Sequence, residues 1–281
     1  MATVTVLFNR NNSRSEAIAR AAYAGVRAVG DKARLLDVRL YSGVTTDYAV
    51  FYGFSGGLQQ VFNDYKAQAT AVYIDLGYWQ RRLKARYDGY HKVVVNSRHP
   101  TAYFQQRAHE HSRFEQFGIE IHPWKRRMYG AILVAGMSEK ASRVAGVRHQ
   151  VWERDAIRQL RAVTDREIVY RPKPNCLRSP AISGVRYNKR MPLETVLDTC
   201  HAVVARHSNV TLDGLIRGIP AFCIDGVAAP LAEPDLSKIE SPRFPNVRRQ
   251  LCADVAWCQF TTAEIGEGLP FRHLKDEGLL P

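Results

Sequence analysis

The sequence predicts an α/β protein built from two similar halves that meet near residue 125, and three observations predict it. Short apolar runs rich in β-branched residues, such as VTVLF (4–8) and AILVAG (131–136), alternate with helical stretches in both halves. Runs of this kind read as parallel strands buried on both faces. The length, 281 residues at 46% hydrophobic and 24% charged, suits one large domain or two of about 140 residues, and excludes a disordered, collagen-like or coiled-coil protein.

The elements follow in order. After the strand at 4–8, asparagine and serine precede an alanine-rich helical stretch that stops at Gly30, giving a capped β-α unit. RLLDV (34–38), YAVFYGF (48–54), AVYIDL (71–76) and KVVVN (92–96) read as further strands, with a helix over 58–69. The pattern breaks at HPWKRR (122–127) and restarts with the strand at 131–136. A helix over 147–164, a strand at 167–171 and a short helix at 192–200 come next. They are followed by strand 202–205, helix 208–218 ended by glycine, and strand 220–224. Five prolines between 220 and 245 predict a wrapping loop, with helices near 244–257 and 261–268.

The longest apolar runs are strand-sized, far short of the roughly 18 residues a membrane span needs. The first residues lack the basic segment, long apolar stretch and cleavage site of a signal peptide, which predicts a cytoplasmic protein without membrane partners. Five cysteines, odd in number and without CxxC spacing, read as reduced, packed thiols. His109 and His111 fall on different sides of a helix, which disfavours a metal pair.

The excess of positive charge, 40 Lys and Arg against 27 Asp and Glu, is concentrated. Residues 81–130 hold 11 basic and 4 acidic residues, and residues 171–190 hold six basic and none acidic, so these two windows carry the whole net +13. Concentrated charge suits a polyanion partner through phosphate contacts and counterion release. Tyr87, Tyr90, Tyr103, Phe104, Phe114, Trp124 and Tyr187 lie among these bases and read either as stacking platforms for nucleotides or as core aromatics.

In open parallel sheets, ligands bind beyond the carboxyl ends of the strands, so the loops after strands carry the candidates. In Gly136-Met137-Ser138-Glu139-Lys140, the glycine permits close backbone approach, Ser138 offers a hydroxyl and Lys140 a mobile charge. Arg171-Pro172-Lys173-Pro174 sets two cations on a stiffened backbone. In His207-Ser208-Asn209, Ser208 or Asn209 at a helix N-cap leaves outward backbone N–H groups, a ready anion site; a plain structural cap explains Ser208 equally well. The P-loop spacing GxxxxGK[ST] is absent from the chain.

The stretch HAVVARHSNVTLDGLIRGIPAFC, preceded by GMSEK and RPKP, resembles the donor-binding half of GT-B glycosyltransferases over roughly 131–225. The small size and basic surface also resemble phage-encoded transferases that place sugars on hydroxymethylated pyrimidines in DNA. The resemblance implies two Rossmann-like domains facing each other across a cleft: 1–125 for the acceptor and 126–281 for the donor, with the C-terminal helices packing back on the first. It implies a nucleotide-sugar donor such as a UDP-sugar, bound beside Gly136, whose diphosphate faces Ser138, Lys140, Arg171, Lys173, His207, Ser208 and Asn209, with Asp213 at the ribose. It also implies a DNA duplex partner presenting a flipped base such as 5-hydroxymethylcytosine. A divalent metal is compatible with such an enzyme, but no residue pattern here indicates one. The paired glutamates seven residues apart found in many retaining GT-B enzymes do not flank Asp213, which favours inversion.

Inversion needs a general base for the acceptor hydroxyl. Asp75, ending the apolar strand 71–76, is the first choice and His99 the second; a helix N-cap or a turn carboxylate paired with Arg81 is the structural alternative for Asp75. Ser55 in the glycine-rich turn 53–57, Tyr78, Trp79 and Arg81 after Asp75, and Asn96 and Arg98 after strand 92–96 complete the expected acceptor side, with Tyr78 and Trp79 reading equally well as core residues. The competing functions are transfer to a surface polysaccharide or lipid-linked glycan, a non-catalytic nucleic-acid-binding protein, and a methyltransferase whose glycine-rich loop Asp75-Leu76-Gly77 matches poorly.

Overall fold

The computed structural model describes residues 1–101, 108–174, 176 and 179–281. Tyr103, Phe104, Arg107 and Arg178 of the basic windows lie outside the described residues. The chain divides into two compact units. The first comprises Met1–Ala102, Ser112–Phe117 and Ala253–Pro281, and the second Tyr103–His111 and Gly118–Cys252.

The first unit is a six-stranded sheet in the order β11-β5-β4-β3-β1-β2. β1 (Thr3–Phe8), β2 (Lys32–Asp37), β3 (Tyr48–Tyr52) and β4 (Thr70–Leu76) are parallel. β5 (Tyr90–Val95) runs antiparallel to β4, a departure from the all-parallel expectation, and β11 (Gln259–Thr261), where no strand was expected, pairs antiparallel with β5. That pairing brings the last residues of the chain into the first unit.

Helix α1 (Ser13–Ala28) starts at Asn12, whose side chain accepts from the Arg14 and Ser15 N–H groups, with Glu16 favourably placed in the first turn. Its Ile18, Ala22 and Val26 pack on Val4, Val6, Val50 and Val72, together with Phe260, Ile265 and Phe271. The last three come from β11, α9 (Thr262–Gly266) and α10 (Leu269–Asp276). Gly25 makes the α1–α9 approach: a Cβ there would collide with the Ile265 carbonyl. Helix α2 (Leu58–Gln68) covers the other face with Leu58, Val61, Phe62 and Tyr65 against Leu7, Phe51, Tyr73 and Val94.

The single turn α3 (Ser112–Glu115) is anchored by Arg113, which pairs with Glu264 at 2.8 Å and donates to the carbonyls of Ala256 and Gln259. This arginine, counted in the basic window, is interior. No helix among the described residues is long and apolar enough to cross a membrane.

The second unit is a five-stranded, all-parallel sheet in the order β10-β9-β6-β7-β8. β6 (Ala131–Ala135), β7 (Ile168–Arg171) and β9 (Cys200–Ala205) are largely apolar where buried, His201 of β9 being the buried polar exception; β8 (Arg186–Tyr187) and β10 (Ala221–Cys223) form the edges. One face packs Ile132, Val134, Ile168 and Tyr170 against Ile157 and Leu160 of α5 (Val151–Arg161). The other packs Leu133, Val169 and Val203 against Val196 and Leu197 of α6 (Leu193–Leu197). Helix α4 (Glu139–Val144) follows β6, α7 (Val210–Ile216) follows β9, and α8 (Arg248–Ala256) precedes β11.

Candidate functional site

In the second unit the chain runs from β6 outward to β7 and β8, then returns to add β9 and β10 on the other side of β6. The strand order therefore reverses between β6 and β9, and a crevice beyond the carboxyl ends of those strands is where an open sheet receives a ligand. The loops after β6, β7 and β9 are the three that the sequence singled out.

Two of them meet directly. The Lys173 ammonium after β7 donates to the Ser208 hydroxyl after β9 at 3.1 Å. Ser208 is not the helix cap: Asn209 holds that position in helical conformation and makes no side-chain capping bond, while the Ser208 hydroxyl lies 3.5 Å from the Val210 N–H. Ser138 is a true cap, accepting from the Ala141 N–H at 3.1 Å.

The remaining donor-side residues divide. Arg171 is committed to its own unit, donating to the Met191 carbonyl at 2.7 Å and to Asn188 at 3.2 Å. Gly136 donates to the Arg171 carbonyl, and a Cβ there would press on the Tyr170 ring and Pro172, so its missing side chain serves strand packing. Lys140 is exposed, and Asp213 is half-buried in the first turn of α7. His207 Nδ1 lies 3.8 Å from the Asp225 carboxylate, a neighbour that the sequence pattern did not single out.

In the first unit the expected base is held firmly. Asp75 accepts from the Tyr73 hydroxyl at 2.6 Å and from the Leu76 N–H at 2.8 Å. It stands opposite Lys92 in the β4–β5 register. Lys92 was counted as charge and as a strand residue, yet it is 7% exposed and donates to the Arg98 carbonyl at 2.6 Å. Burial pushes its pKa down to about 8, against the supporting field of Asp75. A lysine opening an apolar strand next to an aspartate-bearing strand was the signal that could have found it.

His99, the second choice, contacts the Tyr78 hydroxyl through Nδ1 at 3.3 Å. Asn96 departs from expectation. Because β5 is antiparallel, its carboxyl end lies at the amino end of β4, and the Asn96 amide is used by the Ala71 N–H at 2.9 Å. The turn after it carries Arg98 back to Lys92 and His99 back to Tyr78.

Tyr78 and Trp79, expected to stack on an acceptor, are 5% and 9% exposed. The Trp79 ring packs on Phe114 and Phe117 inside the unit, so neither offers an open platform. Arg81 is exposed and donates to the Gly77 carbonyl rather than pairing with Asp75. Ser55 lies at the carboxyl end of β3, where its hydroxyl accepts from the Asn9 side chain at 3.2 Å. β1 lies between β2 and β3, so Asn9 and Ser55 mark the strand-order reversal of this sheet. Asn9 escaped the sequence reading because an asparagine after a strand reads as turn chemistry.

The basic windows are partly structural. Lys92 and Arg113 are interior, Lys125 pairs with Asp198, and Arg186 pairs with Glu167. Arg81, Arg82, Lys84 and Arg86 remain exposed as a continuous basic stretch, with Arg86 and Arg14 both over the Tyr87 ring. An open pocket of about 550 Å³ between Gly130, Arg166, Arg186 and Thr199 lies at the amino ends of the second unit's strands and contains none of the expected donor residues.

No protein-family model matches the chain, and no curated protein sequence matches it. Among solved structures, it is similar to KpsC beta Kdo 2,7 transferase of Thermosulfurimonas dismutans, with TM-score 0.59 and 14% identity over 97% of this chain and 100% of that one. It is also similar to KpsC beta Kdo 2,4 transferase of the same organism, with TM-score 0.53 and 9% identity over 89% of each chain. What is shared at these identities is the fold: the chain has the α/β fold of these transferases.

Proposed function

We propose that the protein is a glycosyltransferase using a nucleotide-activated sugar, with the donor on the second unit. The observation that carries this reading is the Lys173–Ser208 contact beyond the carboxyl ends of β7 and β9, at the strand-order reversal of an all-parallel sheet. In the reaction, an acceptor oxygen forms a bond to the anomeric carbon as the bond from that carbon to the nucleotide's phosphate oxygen breaks. The acceptor proton goes to a base, and the charge left on the phosphate is met by a cation. Lys173 is the cation and Asp75 the base, with inversion at the anomeric carbon. Tyr73 orients the Asp75 carboxylate, and Lys92 stands opposite it in the β4–β5 register.

Two acceptors have separate support. The exposed run Arg81, Arg82, Lys84 and Arg86 beside Tyr87 favours DNA, with a hydroxymethylated pyrimidine receiving the sugar from a flipped position. The fold likeness to Kdo transferases favours a glycan acceptor. The deciding experiment incubates the protein with a panel of nucleotide sugars and either hydroxymethylated duplex DNA or oligosaccharides, followed by mass spectrometry of the nucleosides and glycans. A mass increment on the nucleoside supports DNA, and one on the oligosaccharide supports the glycan. Neither transfer nor donor hydrolysis with any sugar overturns the transferase reading.

A further inference from the structure

Apart from the expected residues, the second unit gathers three side chains of mixed chemistry at one point. Glu139 opens α4 directly after the cap Ser138, His149 lies just before α5, and Cys176 lies in the loop after β7. Their ligating atoms, one carboxylate oxygen, the imidazole Nε2 and the thiol sulfur, all lie within 4.8 Å of one another. The Cys176 sulfur is 3.6 Å from His149 Nε2 and 3.9 Å from Glu139 Oε1. With Zn–S near 2.3 Å and Zn–N near 2.0–2.1 Å, a sulfur and a nitrogen on a tetrahedral zinc lie about 3.6 Å apart, which is the Cys176–His149 distance, and the Glu139 oxygen needs only a small shift to join them.

We infer that Glu139, His149 and Cys176 form a binding site for a zinc-class divalent cation. Thiolate with imidazole selects zinc or cobalt over magnesium or calcium, which take oxygen ligands. One thiolate and one carboxylate balance the two positive charges, and the thiol gives up its proton on binding. The Ser179 hydroxyl donates to the Cys176 sulfur at 3.0 Å, a contact that survives metallation and stabilises a thiolate. The same hydroxyl also contacts His149 Nε2 at 2.8 Å, and this bond is exchanged for the metal. Without an ion, the Ser179 hydroxyl bridges His149 Nε2 and the Cys176 sulfur, and this metal-free arrangement is the alternative that the test excludes.

The site has a structural consequence. The Cys176 N–H donates to the Lys173 carbonyl, and Glu139 is next to Ser138. An ion there ties the loop after β6 to the loop after β7. The inference concerns these ligands and holds whether or not the protein transfers sugar.

The test is titration of chelator-treated full-length protein with Co²⁺ and then Zn²⁺. One equivalent of Co²⁺ is expected to give an intense thiolate-to-cobalt band in the near ultraviolet and visible bands of a tetrahedral ion, both erased by one equivalent of Zn²⁺ and untouched by excess Mg²⁺. Cys176→Ser should lose the near-ultraviolet band. His149→Gln and Glu139→Gln should each weaken binding at least tenfold, and Cys223→Ser should change nothing. Circular dichroism establishes that each variant is folded; if Cys176→Ser is not, the His149→Gln and Glu139→Gln affinities decide. No band at one equivalent, or wild-type affinity in both of those variants, overturns the site.

Discussion

Lys92 and Asp75 face each other across the antiparallel β4–β5 pair, a buried cation beside the carboxylate that ends an apolar strand. The cation has its own anchor, the Arg98 carbonyl, and the carboxylate has the Tyr73 hydroxyl, so each is oriented independently of the other. A carboxylate held this way is positioned to accept a proton without first reorganising.

Asp75→Asn keeps the size of the side chain and one of its two accepted hydrogen bonds while removing the proton acceptor. We expect normal folding and donor binding, with the chemical step slowed by a factor on the order of 10² to 10⁴, the usual contribution of general base catalysis. Single-turnover rates on whichever acceptor takes up the sugar measure it. Near-normal rates would return Asp75 to a structural role and move the base to His99.

Lys173→Ala removes the cation that bonds Ser208. Because leaving-group charge grows in the transition state, turnover and donor affinity should fall together. Ser208→Ala keeps the cation and should cost less. Arg171, already held by Met191 and Asn188, is expected to act through folding, so Arg171→Ala should lower the melting temperature more than donor affinity. Donor titrations alongside thermal melting separate the three variants.

The depressed pKa of Lys92 makes a pH prediction. Between about 8 and the ordinary lysine range the unfolded chain binds a proton that the folded protein has released, so stability rises with pH across that window. Below it, the charged buried form carries its full desolvation cost. Lys92→Met lacks this rise, so wild-type stability minus that of Lys92→Met should increase from pH 8 to pH 10. Urea unfolding at several pH values reads it, and a constant difference would mean that Lys92 titrates as an ordinary lysine.

Gly25→Ala should destabilise the protein by roughly 1–3 kcal/mol, because the added methyl meets the Ile265 carbonyl and forces α9 away from α1. Gly266→Ala, in the same helix pair but with open space around it, should be neutral or stabilising. Urea midpoints for the two variants check the contrast; equal losses would point to helix propensity rather than the close approach.

Much of this protein is legible in its sequence because strand cores and helix caps are local. The aliphatic and aromatic side chains at 4–8, 48–52 and 131–135 have nowhere to go but the interior of a sheet, and Asn12 and Ser138 bond N–H groups only two or three residues away. The placement of candidate ligands after β6, β7 and β9 followed from the same local logic.

Tertiary structure alone decided what depends on pairing direction and distant contacts. The antiparallel course of β5 sent Asn96 to one end of the sheet and Lys92 to the end that holds Asp75, and register carries no mark in a single strand. Arg113 reads as one more charge of the basic window and Trp79 equally as a stacking platform or a core residue, and only the contacts with Glu264 and the Phe114–Phe117 segment make both interior. Glu139, His149 and Cys176 are separated by 9 and 26 intervening residues, so only the folded loops bring their ligand atoms within 4.8 Å.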